Sequence, residues 1–235
     1  MPHIETDISQ AVQDYAKTIY SLRMRGENPV STSAVAERLE VSPASASAMI
    51  KRLAGLGLVA HEPYHGVTLT GAGERVALEV LRHHRLLELY LAEALGMPWD
   101  RVHEEAEVLE HAISPELSEL IAAKLGDPTH DPHGDPIPTR DGEIDEGRTR
   151  SLAELEPGER GVFARVSDSD PEMLRYLAEL GILRGAELVV REHQPFGGPL
   201  TVEVEGRSHA LGRELARAMR VDPVREAQET TAPTR

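Results

Sequence analysis

The sequence predicts a mainly α-helical protein with small β elements: a winged helix-turn-helix, a helical middle and a small barrel-like β domain. Three observations carry this. Two short helices joined by a tight turn are followed at once by a strand–turn–strand signal. Apolar residues recur at helical spacing through most of residues 70–125. After a stretch rich in Pro and Gly, short strand-like runs begin at residue 151. The expected boundaries are residues 1–74, 75–146 and 147–225, with a polar, disordered tail at 226–235.

The first helix is expected over residues 8–25, where Ile8, Val12, Tyr15, Ile19 and Leu22 share a face before Gly26 and Pro29 end the run. Ser31 or Thr32 caps a second helix over 33–39. Ser42-Pro43 is a capping residue followed by Pro at the first helical position, so a third helix starts there and ends near Gly55 or Gly57. Residues 58–62 and 66–69 read as strands, with Pro63, Tyr64, His65 and Gly66 as their turn; a hairpin placed directly after a helix-turn-helix is a wing. Thr70 caps a long helix to about residue 95, and further helices cover 99–113 and 115–125. Pro128, Pro132, Pro136 and Pro138, with Gly134, Gly142 and Gly147, mark an extended loop. Strands follow over 161–167, 186–192 and 200–205, interrupted by a helix over 171–180.

Composition limits the chemistry. The chain has no Cys, which excludes disulfides, thiolate metal sites and Cys nucleophiles. An acidic N-terminus with no long apolar run gives no sign of a signal peptide or membrane span, so a cytoplasmic location is expected. Net charge is −15, split as −2 over residues 1–74, −9 over 75–150 and −4 over 151–235. Between Val41 and His61 there is no acidic residue, only Lys51, Arg52 and His61, and a DNA-facing surface fits that gap. An acidic middle with clustered His is what a cation-binding region needs.

The densest cluster runs from His103 to His111. On a helix, Glu107, Glu110 and His111 fall at i, i+3 and i+4 and share one face, with His103 a turn earlier. The preceding helix offers His84 and Glu88, again one turn apart. Any single His/Glu pair of this kind is usually a solvated helix face; two such sets on successive helices could converge on cations. His130, Asp131, His133 and Asp135 could be called a metal cluster, but their Pro- and Gly-rich surroundings favour a rigid loop. At the start of the third helix, Ser42, Pro43, Ala44, Ser45 and Ser47 are small enough to let the backbone approach base edges, and Lys51 and Arg52 could reach phosphates. Read alone, the two basic residues are equally ordinary surface charge.

At this point the chain resembles the DtxR/MntR family of metal-dependent repressors. The matching segments are Thr18-Ile19-Tyr20, Ala36-Glu37-Arg38-Leu39, Leu69-Thr70 with Gly73, His84-Arg85-Leu86 with Glu88, Val102 to Ala106, Glu110-His111 and the loop from Pro132 to Pro138. The resemblance implies a winged helix, a helical dimerisation domain and, in longer members, a C-terminal SH3-like (FeoA-like) β-barrel. It implies a primary, DNA-activating metal site at Asp14, Glu107, Glu110 and His111. It also implies an ancillary site at His84, Glu88 and His103, completed from the SH3-like domain by Asp170, with Asp168 and Glu172 as alternatives.

Iron-type members carry Met and Cys where this chain has Asp14 and Glu107. Oxygen and imidazole ligands suit Mn(II), so manganese leads; Fe(II) also fits, and Co(II), Ni(II) and Zn(II) should bind in vitro. Where the two-domain manganese branch has a second carboxylate, one turn after the first-helix Asp, this chain has Lys17, which argues for a three-domain arrangement over a closely spaced ion pair. The expected partners are double-stranded operator DNA and a second copy of the chain. Two rivals stand beside this reading: a metal-dependent hydrolase with a carboxylate/imidazole site, and a winged-helix scaffold that ignores metal.

Overall fold

The structure is a computed structural model and describes residues 8–62, 65–168 and 170–224. Pro63 and Tyr64 of the expected wing turn, and the expected tail at 226–235, lie outside the described residues. The described residues form two compact units. One is drawn from Met1–Leu87, Glu104–Thr129 and Ile137–Ile144; the other is drawn from Glu88–His103, His130–Pro136 and Asp145–Arg235.

In the first unit, α1 (Gln10–Met24), α2 (Thr32–Arg38) and α3 (Pro43–Gly55) precede the antiparallel hairpin of β1 (Val59–Glu62) and β2 (Gly66–Leu69). Ser31, not Thr32, caps α2 by accepting the Ala34 N–H, and Ser42 caps α3 by accepting that of Ser45. Val12, Ile19, Val35, Ala46, Ile50, Leu53 and Val67 are buried together as the winged-helix core. Thr70 accepts the Gly73 N–H at the start of α4 (Gly71–Leu95), as the sequence predicts. Gly73 is obligatory for packing, because a Cβ there would strike the Leu58 carbonyl.

The expected division at residue 74 is not a break in packing. Ala16 and Tyr20 of α1 are buried against Ala77, Leu78 and Leu81 of α4, so the winged helix and the helices after it share one unit. That unit also holds α5 (Val102–Leu109) from Glu104 onward, and α6 (Pro115–Lys124). The helix expected over 99–113 is shorter than predicted. Glu110 still bonds back to the Ala106 carbonyl, whereas Ala112 bonds to Leu109, so the last turn tightens under Glu110 and His111.

The second unit is built on a six-stranded antiparallel sheet in the order β3-β8-β4-β5-β6-β7. Its strands are β3 (Arg150–Ser151), β4 (Arg160–Arg165), β5 (Glu187–His193), β6 (Leu200–Val204), β7 (Arg207–Leu211) and β8 (Arg220–Pro223). Irregular registers between Phe163 and Arg165 and between Val190 and Glu192 bend the sheet around Phe163, Leu174, Leu177, Leu188 and Val202. Two helices complete it, α7 (Pro171–Glu179) and α8 (Arg213–Ala218). Sequence periodicity finds β4, β5, β6 and α7 but misses β3, β7, β8 and α8, which are short and carry little alternation.

Candidate metal centre

The first cluster forms where α1 meets the end of α5. Asp14 and Lys17 sit one turn apart on α1 and face Glu107, Glu110 and His111. Asp14 Oδ1 lies 2.8 Å from His111 Nε2, and Glu110 Oε1 lies 3.4 Å from the same nitrogen. His111 donates its Nδ1–H to Gln13 Oε1 at 2.6 Å. That bond fixes the tautomer, leaving Nε2 as the ring atom able to ligate. Gln13 was not among the sequence candidates; an amide beside Asp14 carries no signal until α1 is seen to pack on His111.

Glu107 does not join that trio. It groups instead with His84 and Glu110, and its carboxylate accepts from Lys17 Nζ at 2.7 Å. Lys17 also donates to Glu110 Oε1 at 2.6 Å, while His84 donates to Glu110 Oε2 at 2.6 Å. The Glu110 side chain has no exposed area. Burial works to raise its pKa, but the His84 bond and the Lys17 charge outweigh burial and hold the carboxyl below its ordinary value. For Asp14 the balance is reversed: burial raises its pKa despite the nearby His111 and Lys17.

The second unit carries its own cluster. Glu88, on the last part of α4, lies 3.2 Å through Oε1 from His103 Nδ1, and Asp168 Oδ2 lies 3.1 Å from the same nitrogen. Asp168, not Asp170, is therefore the acidic residue beside His103. Asp170 is committed elsewhere: its Oδ1 accepts the N–H groups of Glu172 and Met173 as the cap of α7. The signal was present, since Asp170 directly precedes Pro171 at the first helical position. Glu172, the other alternative, lies in the first turn of α7.

The rigid-loop reading of His130 to Asp135 matches the local hydrogen bonding. Asp131 does stiffen the loop by accepting the N–H groups of His133 and Asp135, both at 2.9 Å. Gly134, at φ +92°, lets the loop lie flat on the Ala164 carbonyl, where a Cβ would clash. Yet Asp131 and His133 are buried and group with Glu88 as possible ligands. His133 donates Nε2–H to the Trp99 carbonyl at 2.7 Å and turns Nδ1 toward Glu88 Oε2 at 3.7 Å. Burial opposes charge on both imidazoles, but carboxylates prevail: Asp168 and Glu88 push His103 up to about 10, and Glu88 with Asp131 pushes His133 up to about 9. The donors of both clusters are carboxylate oxygens and imidazole nitrogens, a set that fits a divalent cation.

Comparison with known proteins decides the family. Three family models cover the chain: the iron dependent repressor N-terminal DNA binding domain over residues 7–67, the iron dependent repressor metal binding and dimerisation domain over 70–139, and the FeoA domain over 150–223. The chain belongs to the iron-dependent repressor family. It is similar to the iron-dependent repressor IdeR of Mycobacterium leprae, 30% identical over 93% of this chain and 99% of that protein. The diphtheria toxin repressor of Corynebacterium efficiens is 32% identical over 93% of this chain and 97% of that one. Among solved structures, a manganese-dependent transcriptional repressor in complex with manganese is 45% identical, with a TM-score of 0.84 over 91% of this chain and all of that one.

This repressor is thus a metal-dependent, DNA-binding transcriptional regulator and not an enzyme; the hydrolase alternative has no counterpart among these relatives. Among the described residues, no helix is long and apolar enough to cross a membrane. In the repressor's helix-turn-helix, Ser42, Pro43, Ala44, Ser45, Lys51 and Arg52 are exposed along α3 and Ser47 is half-buried, so the face expected to meet DNA is open. Ser42 and Ser45 also bond to each other through their hydroxyls at 2.8 Å.

Proposed function

We propose that this repressor is activated by Mn(II) and binds operator DNA as a homodimer. The observation that carries this is the 2.8 Å approach of Asp14 Oδ1 to His111 Nε2, because it joins the first helix of the DNA reader to the end of α5. Asp14, Glu110 and His111 would hold the primary ion. A divalent cation there supplies the charge that turns the repulsion of two carboxylates into a shared attraction. The rest is done by the chain. Val12, Tyr15, Ile19 and Leu22 root α1 in the winged-helix core, so fixing Asp14 fixes the DNA reader against α5. Gln13 keeps His111 in the ligating tautomer. A two-fold dimer reads two half-sites only when its readers are held at a matching separation.

Glu88, His103 and Asp168, with His133 and Asp131 beside them, would hold an ancillary ion. His84, also expected there, donates through Nδ1 to Glu110 Oε2. Manganese is favoured over softer metals because neither cluster offers sulfur and the chain has no Cys. The homodimer is supported by the exposed apolar side chains of Val108, Leu109, Leu117 and Leu120 on α5 and α6, within the region matched by the dimerisation model. The test is operator affinity measured at controlled free Mn(II), Fe(II), Co(II) and Zn(II). Binding lost in chelator and restored by Mn(II) supports the proposal. Binding restored by Fe(II) but not by Mn(II) makes the repressor iron-responsive, and binding that persists in chelator overturns metal activation.

A further inference from the structure

Lys17 places a cation inside the primary cluster. Its ammonium lies between two carboxylates, 2.7 Å from Glu107 and 2.6 Å from Glu110, and its side chain is only 12% exposed. Those two glutamates, with His84, are also one of the groups whose ligand atoms lie close enough to hold an ion. The ammonium and a second ion would therefore compete for the same oxygens. Lys17 and Asp14 share α1, so the lysine also ties the DNA reader to Glu107 and Glu110 without any metal.

We propose that Lys17 is a tethered counter-cation that fills the second cation position of the primary cluster, made by His84, Glu107 and Glu110. It limits that cluster to one ion, at Asp14, Glu110 and His111, and holds α1 against α5 in the metal-free protein. This rests on the metal site proposed above. The physical reason is charge balance. Two acidic side chains lie against a buried part of the cluster, and a positive charge must sit between them before metal arrives. An ammonium on a flexible stem does this in the manner of a metal ion, but it cannot dissociate. Glu110 then serves both cations, one oxygen shared between Lys17 and the His111 side and the other held by His84.

The test uses the full chain. Crystals of the wild type soaked in Mn(II) are examined by anomalous scattering, and metal content per protomer is measured after equilibrium dialysis for wild type, Lys17→Met and Lys17→Arg. The expected result is one peak in the primary cluster, beside Asp14, with Lys17 still on Glu107. Lys17→Met should take up one further ion per protomer, and Lys17→Arg should match wild type. Hydrogen exchange along α1 in metal-free protein should be faster in Lys17→Met than in Lys17→Arg. A second wild-type peak between His84, Glu107 and Glu110, or a Lys17→Met protein with unchanged metal content, overturns the tethered cation while leaving the Asp14 site standing. If Lys17→Met does not fold, the wild-type peaks and Lys17→Arg decide alone. The absence of any peak beside Asp14 overturns both the site and the lysine's role in it.

Discussion

The two clusters solve the same electrostatic problem in different ways. In the first, buried Glu110 and its neighbour Glu107 are balanced by a lysine ammonium. In the second, Glu88 and Asp168 are balanced by imidazoles that hold their protons well past neutrality, His103 to about 10 and His133 to about 9. One balancing charge is permanent at any physiological pH and the other is a removable proton. A site balanced by protons must release them to take up a cation, so its metal affinity is tied to pH. A site balanced by lysine is not tied in that way.

The largest expected effect breaks the first cluster. Glu110→Ala removes the carboxylate shared by Lys17, His84 and the proposed ion. It should lower metal-free stability by about 3 kcal/mol, because a buried charge loses its partner, and abolish the Mn(II) response of operator binding. Denaturant unfolding and operator titration check the two parts. Retained Mn(II) activation in a folded Glu110→Ala protein would separate DNA binding from this cluster.

His103→Ala should lower metal affinity of the second cluster by on the order of 100-fold and leave the Asp14 site loaded. Calorimetric titration with Mn(II) in wild type and variant reads both. A uniform loss across all binding events would mean the clusters do not act as separate sites.

The pH dependence sharpens the contrast. In metal-free protein, His103 has its folded pKa raised to about 10 from an ordinary 6.5, so its stabilising effect is complete below about 6.5 and is lost as pH rises through about 10. Glu110 has its folded pKa lowered, so its contribution is present above the ordinary value of 4.5 and is lost as pH falls below it. Alkali should loosen the second cluster and acid the first. Metal affinity should climb with pH more steeply at the second cluster, by up to about tenfold per pH unit for each proton released. Equal slopes at both clusters would contradict the difference in counter-charge.

A smaller effect is expected at the loop that presents His133. Gly134→Ala adds a Cβ against the Ala164 carbonyl at a positive φ. It should cost about 1–3 kcal/mol and weaken the second cluster without touching the first.

These contrasts also show what a sequence can reveal. The spacing of Glu107, Glu110 and His111 is written in one short segment, and the cap Ser42-Pro43 marks α3 without any tertiary information. The counter-charges are not legible in this way. Lys17 reads in the sequence as a missing carboxylate, and it becomes a bonded cation only through the packing of α1 on α5. Asp131 and His133 lie in an aperiodic loop, where no regular spacing ties them to Glu88 on α4. Asp168 and Asp170 differ by two positions, and the sequence reading favours Asp170 without weighing the cap that Pro171 marks. Short strands such as β7 and β8 owe their existence to neighbours in the sheet more than to their own alternation.

The most direct measurement is operator binding followed by fluorescence anisotropy during Mn(II) titration of wild type and Asp14→Ala, with dimer mass and folding verified for both. Asp14 is only half-buried and can be removed without opening the core. The expected result is Mn(II)-dependent binding in wild type and none in a folded Asp14→Ala dimer. An Asp14→Ala protein that binds operator at the same free Mn(II) as wild type would show that no ion joining α1 to α5 controls this repressor.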